Sequence, residues 1–160
     1  MRQSRHYFFY IVAALFTLLI ASCNFWSDIW GNHKLGNHLS LWEGDRNEDR
    51  VVAYCTSQSA GACVSGIYVV PSAARNMING KYAEYVKEAK SNKNWVIVKT
   101  LQIKENREKF YIISKVFNIE NVDCTKVNCD SILQRYVIGP LNLTEFENIK
   151  KSMSIPLDFK

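Results

Sequence analysis

The longest uncharged apolar run in the chain lies near its start, from Phe8 to Ile20, directly after Arg2 and Arg5. A bilayer-spanning helix needs about 20 apolar residues, so the run is short for one. A basic segment, a short apolar segment and then the small residues Ala21 and Ser22 have the build of a secretory signal. Beyond it the pattern shortens to alternation. Leu39 and Leu41 interleave with Ser40 and Trp42, and in Arg50–Cys55 Val51 and Ala53 oppose Val52 and Tyr54. Ile67–Val70 is apolar and is stopped by Pro71. Trp95–Ile103 and Lys109–Phe117 are β-rich runs joined by the charged turn 104–108, which predicts a hairpin. A sixth strand is predicted over Ile132–Ile138.

Two segments read instead with helical spacing. Tyr82, Tyr85, Val86 and Ala89 fall at i, i+3, i+4 and i+7, opposite Lys81, Glu84, Lys87, Glu88 and Lys90. That spacing predicts an amphipathic helix of about three turns. Ser72 could cap a shorter turn over Ala73–Arg75, with Asn79-Gly80 separating the two. Near the C-terminus, Thr144-Glu145-Phe146-Glu147 has the form of a capping box, with Phe146, Ile149 and Met153 facing a core and Pro156 ending the helix. Together these elements predict an α+β fold: a single small domain with a mainly antiparallel sheet of about six strands and two helices on one face.

Ile20-Ala21-Ser22-Cys23 resembles the lipobox of bacterial lipoproteins, an aliphatic residue and two small ones before a cysteine. The resemblance implies that 1–22 are a lipoprotein signal peptide and that Cys23 becomes the acylated (palmitate-type) first residue of the mature chain. Two or three acyl chains hold a protein far better than one, at about 0.8 kcal/mol per buried methylene. It also implies membrane lipid as a partner through Cys23. Asn24, where inner-membrane retention uses aspartate, implies an outer-membrane anchor facing the periplasm. Residues 23–33 would then be a lipidated tether, and 34–160 the α+β domain. The tether is unusually apolar: Phe25, Trp26, Ile29 and Trp30 form one side of a short turn. It would lie on the membrane surface, where tryptophan satisfies both ring and N–H, or pack onto the domain.

Export sets the reading of the remaining cysteines. Cys55, Cys63, Cys124 and Cys129 suggest a disulfide framework. The pairs 55–63 and 124–129 are favoured, because each is near in sequence and separated by turn-like residues, with Ser57–Gly61 and Thr125–Asn128 as the closed loops. The spacings C-x7-C and C-x4-C do not suit a four-thiolate zinc site. His33 and His38 could share a metal with Asp28 or Asp45, but the Gly-Asn pairs before them read better as turns, and no metal is expected. The signal removes Arg2 and Arg5 from 20 Lys+Arg, leaving 18 against 15 Asp+Glu, a formal +3. The excess is spread along the chain, so nucleic acid is not expected as a partner.

Catalytic patterns are sparse. No histidine follows His38, no glycine precedes Ser65 at a nucleophile elbow, and no glycine cluster could cradle phosphate. No enzyme activity and no cofactor are therefore expected. Trp42, Tyr54, Tyr68 and Trp95 could line a carrier cavity, but at half-buried strand positions they read better as core. Tyr136-Val137-Ile138-Gly139-Pro140-Leu141, then Glu145-Phe146 and Ile155-Pro156, resembles the close of small uncharacterised Bacteroidetes lipoproteins, in which a strand runs into Gly-Pro-Leu, a helix holding Glu-Phe, and Ile-Pro. It covers about the C-terminal half and implies a class without a mechanism. The function expected is non-enzymatic: a membrane-anchored envelope protein that binds or scaffolds an envelope partner. The alternative is a periplasmic inhibitor or immunity protein against a hydrolase or toxin, using one of the cysteine-closed loops.

Overall fold

The computed structural model describes residues 32–59, 62–72 and 77–159. It is a mainly antiparallel α+β domain with two helices. Strands β1 (Asn32–Gly36), β2 (Leu39–Trp42), β3 (Val51–Ser59) and β4 (Ala62–Val70) form a first sheet in that order. A two-stranded ribbon, β5 (Met77–Ile78) and β6 (Lys81–Tyr82), follows. Strands β7 (Glu84–Ser91), β8 (Trp95–Gln102), β9 (Arg107–Ser114) and β10 (Val137–Leu141) form a second sheet, ordered β10-β9-β8-β7. Helix α1 (Cys129–Gln134) precedes β10, and α2 (Leu143–Ser152) follows it.

The second sheet is buried on both faces. Val96 and Val98 of β8, with Tyr111 and Ile113 of β9, face the first sheet and meet Leu39, Leu41, Val52 and Val70 in one core, which Leu133 of α1 joins. Their neighbours Ile97, Phe110 and Ile112 point the other way, beneath Phe146 of α2 and Ile155. That double burial is why Trp95–Val98 and Phe110–Ile113 are apolar at successive positions rather than alternating. The two helices thus belong to opposite faces of this sheet, not to one face as expected.

Five local elements differ from the sequence reading. The helix expected over Tyr82–Lys90 is strand β7, paired with β8. Val86 lies opposite Thr100 and Glu88 opposite Lys99, so Lys87 is an extra residue at a bulge. The bulge puts Val86 and Ala89, three apart, against the same core, and so produces a helix-like spacing within a strand. The Asn79-Gly80 pair, expected to separate two helices, turns the β5–β6 ribbon with both residues at positive φ, the usual use of Asn-Gly. The helical turn expected over Ala73–Arg75 lies outside the described residues.

The strand expected over Ile132–Ile138 divides into α1 and β10. Asn128 caps α1 by accepting from the Ser131 N–H at 3.0 Å, and Cys129 and Leu133, one turn apart, are buried. The cap of helix α2 lies two residues before the expected one. Asn142 Oδ1 accepts from the Glu145 N–H at 3.0 Å, and Glu145 Oε2 accepts from the Asn142 N–H at 2.9 Å. Both Asn142-x-x-Glu145 and Thr144-x-x-Glu147 satisfy the capping pattern; the earlier frame keeps Phe146 inside and turns Met153 outward, 40% exposed. Lys150 is covered instead, its amine bridging Glu147 and Asp158. Finally, of the loop expected over Ser57–Gly61, Ser57–Ser59 are strand: β3 continues to Ser59 and β4 begins at Ala62.

Candidate functional site

A cleft of about 550 Å3 opens between the two disulfides. The bridges are Cys55–Cys63, with Cα atoms 5.6 Å apart across the β3–β4 hairpin, and Cys124–Cys129, with Cα atoms 5.4 Å apart. These are the pairings expected. Cys55 and Cys124, one cysteine of each bridge, both line the cleft, so each bridge braces part of its wall.

The β1–β2 turn supplies one rim. Gly36, Asn37 and His38 all have positive φ, which suits Gly and Asn. The Asn37 amide donates to the carbonyls of Lys115 (2.8 Å) and Phe117 (3.1 Å), tying the turn to the segment after β9. The Cys55 N–H donates to the His38 carbonyl at 2.7 Å. His38 Nε2 is 2.7 Å from Glu120 Oε1, and its ring lies 5.6 Å from that of Tyr54. Tyr54 in turn meets Phe117 edge-on.

Ile119, Val122 and Asp123 add to the lining. Asp123 accepts from the Thr125 hydroxyl (2.6 Å) and the Thr125 N–H (3.1 Å), and pairs with Lys126 at 3.0 Å. The Thr125 hydroxyl, then Lys126 and the Thr125 N–H, hold its carboxyl below the usual range. These contacts shape the start of the Cys124–Cys129 loop. Lys115 steadies the region from below, donating to the carbonyls of Leu35 and, at 2.5 Å, Asn92.

Burial, and then the charge of Glu120, push the Tyr54 hydroxyl up from 10.0. The folded protein therefore keeps that proton where the unfolded chain loses it. Its stabilising contribution is complete below pH 10 and is lost as pH rises further. The Tyr54→Phe variant is expected to lose less stability than the parent as pH rises above about 10, as read from urea midpoints.

Chemically, the cleft offers an imidazole, a phenol and two carboxylates beside an apolar wall. The hydroxyl at its edge, Thr56, is 2.8 Å from the Ser65 hydroxyl rather than beside the imidazole. His33 and His38 do not converge, since His33 faces Glu43 at 3.5 Å. Of the four aromatics read as core rather than as a carrier cavity, Tyr54 is core, Trp42 packs edge-on against Tyr68, and Trp95 lies against the second core. Cys23, Phe25, Trp26, Ile29 and Trp30 lie outside the described residues. The sequence reading missed Glu120, Ile119 and Asp123, because His38 and Glu120 are 82 positions apart and no local pattern links them. Comparison with protein-family models, curated proteins and solved structures gave no match.

Proposed function

We propose that the chain is a lipid-anchored envelope protein that works by binding a protein partner at the cleft between its disulfides, without catalysis. One observation carries this reading: two covalent bridges and a pinned turn converge on a single cleft. A braced surface loses little conformational freedom on association, so more of the contact energy appears as affinity. The lipobox at Ile20–Cys23 supports the anchor, and the close at Gly139-Pro140-Leu141 supports the lipoprotein class.

Exposed aliphatic groups favour the inhibitor or immunity form of the same reading. Val64, beside Cys63, is 56% exposed, and Val127, inside the Cys124–Cys129 loop, is 46% exposed. Each braced segment thus presents one aliphatic side chain of the kind that fills a pocket on a partner.

The test places a photocrosslinking residue at Thr56, at Val127, or at Lys151 on α2, in the full chain in its native envelope. Adducts to one protein from positions 56 and 127, and none from 151, are expected. Equal adducts from all three positions, or none from the cleft, overturn the binding surface. The mass of the mature N-terminus tests the anchor separately: Cys23 should be the first residue and carry lipid, and an unmodified thiol overturns it.

A further inference from the structure

A second cleft, of about 320 Å3, lies away from the disulfides, where β7, β8 and β9 meet the end of β4 and the start of β10. Glu84 and Gln102 are directly paired across β7 and β8, so their side chains stand on one face of the sheet, about 5 Å apart at Cβ. That face is the one carrying Val86, Val96 and Val98, and the two polar residues stand at its end. Thr100 and Tyr111 lie beside them. The Thr100 hydroxyl donates to Glu84 Oε1 at 2.5 Å and the Tyr111 hydroxyl at 2.9 Å.

Two features of this group remain unanswered within the protein. The Gln102 side-chain oxygen is buried and accepts no hydrogen bond among the described residues. A buried acceptor without a donor is costly and calls for a partner. Glu84 receives two neutral hydroxyls on one oxygen and pairs with no cation among the described residues. Tyr111 adds no charge: burial first, then the charge of Glu84, push its hydroxyl well above the ordinary tyrosine range, and it stays a neutral donor. Pro71, Ala83, Val137 and Pro140 complete the cleft with apolar surface.

We infer that this cleft binds a guanidinium group on a short alkyl stem. The planar cation would donate to the free oxygen of Glu84 and, as the Gln102 side chain turns into the cleft, to the Gln102 oxygen, supplying both a charge and the missing donor. The stem would lie between the prolines, and the volume suits a small group rather than a large ligand. The inference is independent of the disulfide cleft and of the lipid anchor.

The test titrates the full chain, in a neutral detergent, with butylguanidinium and with its uncharged isostere butylurea, following the Gln102 side-chain amide by NMR. Butylguanidinium is expected to shift that resonance and to bind at least ~10-fold more tightly than butylurea, as expected for a charge-assisted contact. Glu84→Gln keeps an acceptor for both hydroxyls and should weaken butylguanidinium by ~10-fold with an unchanged melting temperature. If that variant does not fold, Gln102→Met, followed through the Tyr111 backbone amide, reads the loss of the acceptor instead. The blocked peptide acetyl-Gly-Arg-Gly-amide separates the sources: equal binding assigns an arginine side chain, and loss of binding assigns a free small molecule. Equal affinity for butylurea, or full affinity in the variants, overturns the site. Binding that appears only in Arg75→Ala, which removes the chain's own guanidinium nearest in sequence to Ser72, overturns a site for an outside ligand.

Discussion

Phe146→Ala is expected to lower the unfolding free energy by about 3–5 kcal/mol, a large part of what a domain of this size holds. Phe146 is fully buried, with its ring centroid 5.1 Å from Phe110 and 5.7 Å from Phe159. It is the main side chain by which α2 covers the outer face of the second sheet, over Ile97 and Ile112. Removing the ring leaves a void bounded by a sheet on one side and Ile155 on the other, neither of which can easily collapse into it. Chemical denaturation followed by far-UV circular dichroism reads the loss. Met153→Ala is the contrast, because the observed helix frame turns Met153 outward; a change within about 0.5 kcal/mol is expected. A large Met153 effect would mean that Thr144, not Asn142, caps the helix.

Gly139→Ala is expected to cost about 2–6 kcal/mol, for two reasons that add. Gly139 has φ of +145°, where a side chain is strained by about 1–3 kcal/mol. A Cβ there would also lie 2.5 Å from Cδ1 of Tyr111 and 2.9 Å from the Phe110 carbonyl oxygen. That oxygen is backbone within the second sheet, so it cannot give way, and overpacking adds about 1–3 kcal/mol. Gly80→Ala is the internal control: its φ is +74° but nothing lies within 4 Å of the added Cβ, so about 1 kcal/mol is expected. Thermal melting of the two variants side by side separates contact from conformation. The Gly-Pro-Leu segment that marks the chain's ending thus has a packing reason at its first residue.

How much of this was legible in the sequence depended on how local each cause was. The β8–β9 hairpin was plain, because Trp95–Gln102 and Arg107–Ser114 pair with each other across a short turn. The cysteine pairing was legible because each partner lies within a few residues of the other. Strand β7 was hidden by the extra Lys87, which spaced Val86 and Ala89 like a helix. Helix α1 was hidden because its six residues depend on a cap at Asn128 and a bridge at Cys129 rather than on a long periodic face. For α2, two overlapping capping patterns existed, and only burial of Phe146 and exposure of Met153 chose between them. The first cleft could not be read at all, since His38, Glu120 and the two bridges meet only after both sheets have formed.

The Asn37–His38 turn has a consequence for geography. It stands one short strand beyond Asn32, and a fully extended backbone from Cys23 to Asn37 reaches at most roughly 50 Å. If Cys23 carries acyl groups as proposed, the rim of the cleft would ride within a few nanometres of the bilayer, and a partner held there would have to reside in that membrane or pass close along it.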